Sequence, residues 1–400
     1  MNDKRNYKKG NRIEILKALY SGGTLPYRAL RLLNGTERLN QRLARVMEKE
    51  GFIEICKDNR NGKKIFLPGT WREHYLKEYG DYLGERYELN YMELESEMGK
   101  AKSEKEETRA ERYVRCGEMC ALMHMAGIGS YPDEKKVLGI SKTVLETSDE
   151  MYFSGLEVKK AGGYISDVFY KDGIRQIINT RLHGLVISPG GDYAIYNIGR
   201  RMLEWEQYGE TKMSKAIHDV LYREEKGKRK RQGTIRETEC ILFGEDNMIF
   251  SKIILNDSTK RKSLTIMNIE YAYNEIYGLP SDKDGIRMMR IMKEEKWKQK
   301  MKYTLLHGID TREESRYGII CDGVKNGNVY VLLFCIPNLQ RLKMFLKRAY
   351  REGNKERFEI YCFSYQIPLL VMLASNVATI CSIELEDYIE QYIEKEPAYE

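Results

Sequence analysis

The 400-residue sequence predicts an α/β protein, α+β overall, in which a small N-terminal domain of helices and a β-hairpin precedes a larger mixed-sheet region. Residues 11–67 contain segments with helical periodicity followed by two strand-like segments. Residues 71–126 are charged and helical in pattern. Beyond them, apolar strands alternate with helices of ~10 to 15 residues, which is typical of a sheet covered on both faces. We therefore predict domains at 1–70, 71–126 and 127–400, with a further subdivision considered near 225–235.

Two short amphipathic segments come first. Apolar residues recur at helical spacing from Ile13 to Tyr20, and Ser21-Gly22-Gly23 ends this first helix. We expect a second helix to begin at Thr24 as its N-cap, to carry Pro26 in its first turn, and to end at Asn34-Gly35. Two helices are thus predicted before residue 36.

The third segment predicts a helix with two distinct faces. Thr36 is expected to cap it, and Gly51 follows its last residue, Glu50. The core face consists of Leu39, Leu43, Val46 and Met47. The opposite face consists of Arg38, Gln41, Arg42 and Arg45. Because a solvated helix usually mixes its charges, three arginines and a glutamine on one face favour binding to a polyanion.

Two strands and a basic turn follow this helix. Residues 52–55 and 64–67 are strand-like, and Asn61-Gly62 between them is a strong signal for a β-hairpin. The basic turn includes Arg60, Lys63 and Lys64. Three helices followed by such a hairpin predict a winged helix-turn-helix, in which the third helix enters the major groove of DNA and the hairpin, or wing, contacts the backbone or minor groove.

The distribution of charge agrees with this prediction. Residues 1–70 contain sixteen basic and seven acidic side chains, a balance of +9, whereas the whole chain carries +7. The other 330 residues therefore sum to −2. Concentrated positive charge is the electrostatic footprint of a phosphate-binding domain. The alternative is that the domain mediates protein contacts and that its arginine face is only solvated.

Composition limits the class of protein. The sequence contains no run of the ~20 apolar residues that a membrane-spanning helix needs, and its N-terminus has no signal-peptide pattern, so we expect a cytoplasmic protein with no membrane partner. The eight cysteines are expected to be small buried hydrophobic residues. Cys116, Cys120 and His124 share a helix face and could hold a metal ion. A closed zinc site needs four ligands, so we predict core packing and no metal site.

The middle of the chain predicts a change from helices to strands. Residues 71–126 are expected to form a helical connector, most exposed at the Lys- and Glu-rich stretch 100–107. Four strands are predicted at 151–158, 164–170, 184–188 and 193–197, with a tight turn at 189–192. A helix at 212–224 then leads into the basic cluster 226–231, which is either an exposed loop or a second phosphate contact.

The C-terminal region predicts strands alternating with helices. Strands are expected at 240–243, 250–255, 329–336, 358–363 and 377–383. Helices are expected within 280–296 and at 339–350, 368–374 and 386–394. This order favours a parallel or mixed sheet.

One pattern points to metal-dependent catalysis. Pro132-Asp133 is followed by Glu157-Val158-Lys159 at the end of a predicted strand, which formally matches the Pro-Asp…Glu-x-Lys pattern of restriction-type nucleases. There two carboxylates bind Mg²⁺ and the lysine helps to orient water. Glu118 could be a further ligand. Glu210-Thr211-Lys212 matches the same short triplet without a preceding Pro-Asp, which shows how readily a charged sequence produces it.

The order of parts resembles the replication-relaxation-like proteins of plasmids and integrative or conjugative elements of Gram-positive bacteria. The resemblance lies in residues 12–16 and 43–53, in Thr180-Arg181-Leu182-His183-Gly184-Leu185 followed by residues 193–197, and in the strand-helix-strand unit of residues 331–363. It implies that the C-terminal α/β region is similar to a nuclease fold. Since no convincing active site can be placed on it, we expect a degenerate fold that does not cleave DNA.

Three functional hypotheses result. The first is a sequence-specific DNA-binding protein of a mobile element, acting in its replication, transfer or transcriptional control, with double-stranded DNA as partner and a homodimer on a palindromic site. In it the α/β domain binds a replication or transfer protein, or dimerises, without a cofactor. The second is a Mg²⁺-dependent nuclease using Asp133, Glu157 and Lys159. The third is an adaptor that binds a partner protein and is tethered to DNA.

Overall fold

A computed structural model describes residues 3–58, 62–99, 104–138, 144–169, 180–200, 204–223, 229, 231–311 and 320–392. The chain forms two compact units. The first contains residues 1–174, 183–187 and 224–232, and the second contains residues 175–182, 188–223 and 233–400. Both units contain helices and strands, so the protein is of mixed α/β composition, as the sequence predicts.

The N-terminal part of the first unit consists of two helices and a three-stranded sheet. In chain order its elements are α1 (Asp3–Gly22), β1 (Thr24–Pro26), a 3-10 helix (Tyr27–Arg31), α2 (Glu37–Lys49), β2 (Glu54–Asp58) and β3 (Gly62–Phe66). The strands lie in the order β1-β3-β2 and are antiparallel. The sheet therefore joins the hairpin at residues 54–66 to a strand that precedes α2.

Helix α2 confirms its predicted signals, whereas the predicted second helix is wrong. The Thr36 hydroxyl accepts a hydrogen bond from the Leu39 amide, and Gly51 has φ +79°, a left-handed conformation that glycine adopts without strain. Thr24 does not cap a helix, because it pairs with Phe66 in the sheet. The extended backbone at Pro26 precedes only a single 3-10 turn. Pairing with β3 outweighs the local helix-start signal at this position.

Three further helices follow in the first unit: α3 (Trp71–Glu78), α4 (Gly80–Gly99) and α5 (Glu104–Met125). Helices α4 and α5 pack against α1. Tyr20 of α1 lies at the centre of an aromatic cluster, with ring centroids 5.2 to 6.4 Å from those of Trp71, Tyr75, Tyr87 and Tyr91. These contacts attach residues 71–99 to the N-terminal helix. The stretch 100–107, predicted to be the most exposed part of the connector, lies partly outside the described residues.

The remainder of the first unit contains β4 (Met151–Ser154), α6 (Gly155–Phe169) and β5 (Gly184–Ser188) up to residue 187. Strand β4 pairs antiparallel with β5. The strands predicted at 151–158 and 164–170 are wrong beyond Ser154, because α6 begins at Gly155 and continues to Phe169. Apolar runs of this length do not distinguish a strand from a buried helix.

The second unit begins with a parallel sheet and its helices. Its first elements are β6 (Gly191–Gly199), α7 (Gln207–Tyr222), β7 (Glu239–Gly244), α8 (Ile249–Ile254), α9 (Ile266–Glu270), β8 (Ile276–Pro280), α10 (Lys283–Met292) and α11 (Trp297–Leu305). Strand β7 pairs in parallel with both β6 and β8. The turn before β6 and the helix α7 are confirmed. The strand predicted at 250–255 is wrong, because residues 249–254 form α8.

The second unit ends with a four-stranded sheet. Its elements are β9 (Gly323–Lys325), β10 (Val329–Leu333), α12 (Leu339–Glu352), β11 (Phe358–Phe363), α13 (Ile367–Ala374), β12 (Thr379–Ile383) and α14 (Leu385–Tyr392). The order is β12-β11-β10-β9, with β10, β11 and β12 parallel and β9 antiparallel to β10. The predicted strand-helix alternation is confirmed here. None of the helices in the described ranges is long and apolar enough to cross a membrane.

Candidate nucleic-acid interface

A buried pair of asparagines positions α2. The Asn40 side chain donates hydrogen bonds to the carbonyl oxygens of Leu30 (3.0 Å) and Asn34 (3.0 Å), and the Asn11 side-chain amide donates to the Asn40 Oδ1 atom (3.0 Å). Asn40 is fully buried. A buried polar side chain is tolerated when its hydrogen bonds are made, and these bonds join α2 to α1 and to the turn before it. Sequence reasoning missed both asparagines, although Asn40 stands next to the predicted core stripe.

The face of α2 opposite the core is basic and open to solvent. Arg38, Arg42 and Arg45 are exposed, and among the described residues none of them makes a hydrogen bond or ion pair. Gln41 is half-buried and its amide donates to the Glu37 carboxylate at 2.8 Å. The structure therefore brings the four residues of the predicted face together, with three cations available to a ligand.

Glu48 of α2 and Glu50 at its C-terminal cap have partners other than the three arginines. Glu50 forms an ion pair with Arg12 at 2.9 Å, and the Glu48 carboxylate accepts a hydrogen bond from the Ile55 amide at 3.2 Å. Neither carboxylate forms an ion pair with an arginine of this face.

The β2–β3 hairpin places lysines beside this helix. Lys57 and Lys63 are exposed and pair across the two strands, and the Lys63 ammonium lies 5.6 Å from the centre of the Tyr27 ring. Tyr27 in turn donates a hydrogen bond to the Gln41 carbonyl oxygen at 3.4 Å. Lys64 is half-buried and lies opposite Cys56. Arg60 lies outside the described residues.

An ion pair between a half-buried arginine and a buried glutamate fixes the 3-10 helix to α5. The Arg28 guanidinium donates to both carboxylate oxygens of Glu118, at 3.0 and 3.1 Å, and the Glu118 side chain is 1% exposed. This bidentate geometry is typical of a guanidinium bound to a carboxylate. Glu118, considered as a metal ligand from the sequence, is therefore occupied by Arg28.

Asp133, the first carboxylate of the nuclease pattern, joins two helices. The Asp133 carboxylate accepts hydrogen bonds from Lys17 of α1, at 2.9 Å, and from the hydroxyl of Tyr87 of α4. Burial acts to raise the pKa of Asp133, but the bonds from Tyr87 and Lys17 outweigh it and hold the pKa below its ordinary value. Asp133 is thus an ionised anchor between α1 and α4.

The second half of the pattern stands on a helix. Glu157 and Lys159 belong to α6 and do not end a strand, which contradicts the predicted placement. The Glu157 carboxylate accepts from the Lys135 ammonium at 2.7 Å and from the Ser154 amide at 2.7 Å, as a residue that caps the first turn of a helix does. Asp133 and Glu157 therefore bind different partners.

The cysteine and histidine group on α5 is also occupied by protein contacts. His124 lies 2.9 Å from the Glu134 carboxylate and stacks on the Tyr131 ring at 4.1 Å between centroids. Burial raises the pKa of the Cys120 thiol to about 12, so this thiol stays protonated near neutral pH. Within the described residues, no group of three histidine, cysteine, aspartate or glutamate side chains has a geometry for metal binding.

A buried carboxylate in the second unit was missed as a structural centre. Glu210 accepts hydrogen bonds from the hydroxyls of Thr180 (2.8 Å) and Tyr196 (2.7 Å) and from the Arg181 amide (2.6 Å), and Tyr273 bonds Tyr196 at 2.7 Å. Burial raises the pKa of Glu210. The network links the stretch at Thr180 to α7 and β6. Thr180, Arg181 and Tyr196, which belong to the stretches that carry the family resemblance, therefore have a structural role.

Comparisons with known proteins add no further identification. No family model matches the chain, and neither the curated proteins nor the solved structures contain a match.

Proposed function

We propose that residues 3–66 form a winged helix-turn-helix that binds double-stranded DNA in a sequence-specific manner, with α2 as the recognition helix. The observation that carries the proposal is the exposed face of α2. Three arginines on it have no partner among the described residues, and Gln41 lies between them. Arginine and glutamine side chains can read base edges as well as bind phosphates.

The order of elements supports this assignment. A helix, a short strand, a 3-10 turn, a second helix and a hairpin follow one another, and the strand pairs with the far strand of the hairpin. Helix α2 has 13 residues and is therefore ~20 Å long. A helix with side chains is ~10 to 12 Å wide, which fits a major groove ~12 Å wide.

Electrostatics support the same assignment. The carboxylates of Glu37 and Glu48 accept hydrogen bonds from amides, and Glu50 at the C-terminal cap of α2 pairs with Arg12, so none of them forms an ion pair with the arginine face. Five cations, Arg38, Arg42, Arg45, Lys57 and Lys63, lie on α2 and the hairpin. If each releases one counterion from DNA, log K should fall against log salt concentration with a slope of about −4 to −5.

The test is an anisotropy titration of the full chain on a site selected from random duplexes and on an unselected duplex. Arg42→Ala should lose about 1 to 3 kcal/mol on the selected site and much less on the unselected duplex, because a base contact adds discrimination. Lys63→Ala should weaken both duplexes by similar amounts and reduce the salt slope by about one. Lys300→Ala, at an exposed position of α11, is the matched control and should change neither affinity.

Two outcomes would contradict the proposal. Binding that Arg42→Ala and Lys63→Ala leave unchanged would place the DNA elsewhere on the molecule. Equal losses on both duplexes for Arg42→Ala would restrict α2 to phosphate contact. Stoichiometry on the selected site tests the homodimer, since a two-fold protein pair requires half-sites ~10 base pairs apart.

The proposed genetic role follows from the resemblance to replication-relaxation-like proteins. DNA binding would serve replication, transfer or transcriptional control of a mobile element. The positions of Asp133 and Glu157 give no support to the nuclease alternative, because Lys17, Tyr87 and Lys135 engage their carboxylates. Metal-dependent cleavage of DNA that Asp133→Asn abolishes, with binding retained, would restore that alternative.

A further inference from the structure

The second unit exposes apolar and basic side chains on three neighbouring helices. We call this set the three-helix surface: Met248, Lys252 and Leu255 at α8, Met344, Lys347 and Arg351 on α12, and Val371 and Met372 on α13. Within each helix the residues recur three, four or seven positions apart, or are adjacent, so they share one face. Leu255 is 61% exposed, Met372 57%, Val371 50% and Met344 48%.

The three helices lie side by side. Helices α12 and α13 connect the parallel strands β10, β11 and β12, which are neighbours in that order, so right-handed crossovers place both on one face of the sheet. Helix α8 packs against both. The Tyr350 hydroxyl of α12 donates to the Leu373 carbonyl oxygen at 2.7 Å, and the Lys343 ammonium binds Asp257 at 2.7 Å. The exposed residues therefore belong to one continuous surface.

Single exposed apolar residues are ordinary, but a group of them is not. Five apolar side chains on three touching helices form a patch of the kind that marks an interaction site. Both helices already have a buried apolar face, because Leu342 and Phe345 of α12 and Leu370 of α13 lie in the core. The outward apolar residues are thus extra to the packing of the unit.

Charge indicates the chemistry of the partner. Lys252, Lys347 and Arg351 are the charged side chains among the residues that define the surface. The nearest acids are exposed Asp246, which accepts a hydrogen bond from the Ile249 amide, Asp257, which binds Lys343, and Glu352, which binds Arg348 at 2.5 Å and Arg357 at 3.0 Å. Cations outnumber these three acids around the surface: Lys252, Lys343, Lys347, Arg348, Arg351 and Arg357. Residues 364–383, which include α13, contain no charged residue. A complementary partner must therefore be apolar and acidic.

Self-association and lipid binding fit these observations less well. Two copies of the surface would bring three cations of one against three cations of the other. Insertion into a bilayer requires apolar side chains that reach ~5 to 10 Å into it, and those of the surface are at most 61% exposed. An amphipathic helix of a protein can instead lay its apolar face on half-exposed apolar side chains of this kind.

We propose that the three-helix surface is the docking site for an acidic amphipathic helix of a partner protein. The apolar face of that helix would lie on the exposed methionines, Leu255 and Val371. Its carboxylates would meet Lys347 and Arg351 of α12 and Lys252 of α8. The proposal does not depend on DNA binding by α2, since it concerns the second unit alone.

The test uses the full chain and two fluorescein-labelled 18-residue amphipathic peptides with the same leucine face, one with glutamates and one with lysines on the polar face. The glutamate peptide should bind with micromolar affinity, at least ~10-fold more tightly than the lysine peptide, and binding should weaken with salt. The double variant Val371→Asp/Met372→Asp should weaken binding at least ~10-fold. The double variant Lys347→Glu/Arg351→Glu should do the same and should favour the lysine peptide.

Tyr303→Asp and Lys300→Glu on α11 are the matched controls, because Tyr303 is 81% exposed and Lys300 is also exposed. Both should leave peptide binding unchanged. If Val371→Asp/Met372→Asp impairs folding, the double variant Lys347→Glu/Arg351→Glu still tests the proposal, because it changes only exposed cations. Equal affinity for the two peptides, or binding that neither double variant changes, overturns the proposal. Two further results would also overturn it: a concentration-dependent dimer that the same variants abolish, or binding to anionic phosphatidylserine vesicles that the same variants abolish.

Discussion

Gly117 of α5 is a position where one added methyl group should separate two elements of the first unit. A Cβ atom there would lie 1.8 Å from the Thr24 carbonyl oxygen, at the start of β1. Gly22 of α1 makes the reciprocal contact, since its Cβ would lie 2.2 Å from the Gly117 Cα atom. Ordinary contact begins at 3.4 Å, so α5 and β1 would have to move apart by 1.6 Å, the difference between 3.4 and 1.8 Å.

The expected cost follows from two opposing effects. Overpacking against backbone costs about 1 to 3 kcal/mol, because no flexible side chain can move aside. Alanine in a helix regains about 0.5 to 1 kcal/mol over glycine. Gly117→Ala should therefore destabilise the first unit by roughly 0 to 2.5 kcal/mol, centred near 1. Gly10→Ala in α1 meets nothing within 4 Å and should stabilise by about 0.5 to 1 kcal/mol.

Hydrogen exchange followed by mass spectrometry measures the effect locally, which suits a chain of two units. Peptides from α1 and β1 should exchange faster in Gly117→Ala than in the natural protein and more slowly in Gly10→Ala. Peptides from β6 to β8 in the second unit serve as the internal control. Protection of β1 in Gly117→Ala equal to or above that in Gly10→Ala would refute the close approach of α5 and β1.

Three further predictions concern single side chains. Thr36→Ala removes the cap on the Leu39 amide and should cost about 1 kcal/mol in urea unfolding while weakening DNA binding, whereas Thr36→Ser should preserve both. The pKa of Asp133 is lowered in the folded protein, so its contribution is present above the ordinary value of 3.8 and is lost as pH falls through the folded pKa. Asp133→Asn should therefore lower the melting temperature at pH 7 and make little difference at pH 2, and an equal deficit at both values would contradict this. Iodoacetamide at pH 8 should modify exposed Cys56 before buried Cys120, whose pKa is about 12, as peptide mass spectrometry will show; simultaneous labelling would mean that α5 opens readily.

The elements that sequence could predict are those whose signals are local. Helix α2 has its cap at Thr36 and its glycine at Gly51, and its two faces follow from the 3.6-residue period. Helix α12 likewise ends at Gly353, with φ +64°. The residues on the outward face of α2 could also be predicted from the sequence, because they depend only on spacing within one helix.

The features that sequence could not predict depend on distant partners. Strand β1 has three residues, and Thr24 becomes part of a sheet only because Phe66 lies opposite it. Residues 250–254 are apolar enough for a strand, and packing against α12 and α13 decides that they form α8. Asn40 could be recognised as buried only once its partners Asn11 and Leu30 were in place. Tertiary context overrides local preference in each case.

Charge pairing in the first unit separates the binding hypothesis from the hydrolytic one. A metal-dependent nuclease needs carboxylates that converge on one metal ion. In the described part of the first unit the carboxylates of the nuclease pattern each bind a lysine or arginine: Glu118 binds Arg28, Asp133 binds Lys17 and Glu157 binds Lys135. The arginines of α2 show the reverse arrangement, since their cations face solvent. Exposed cations are what the proposed binding of DNA requires, whereas carboxylates already paired with protein cations give the hydrolytic alternative no support.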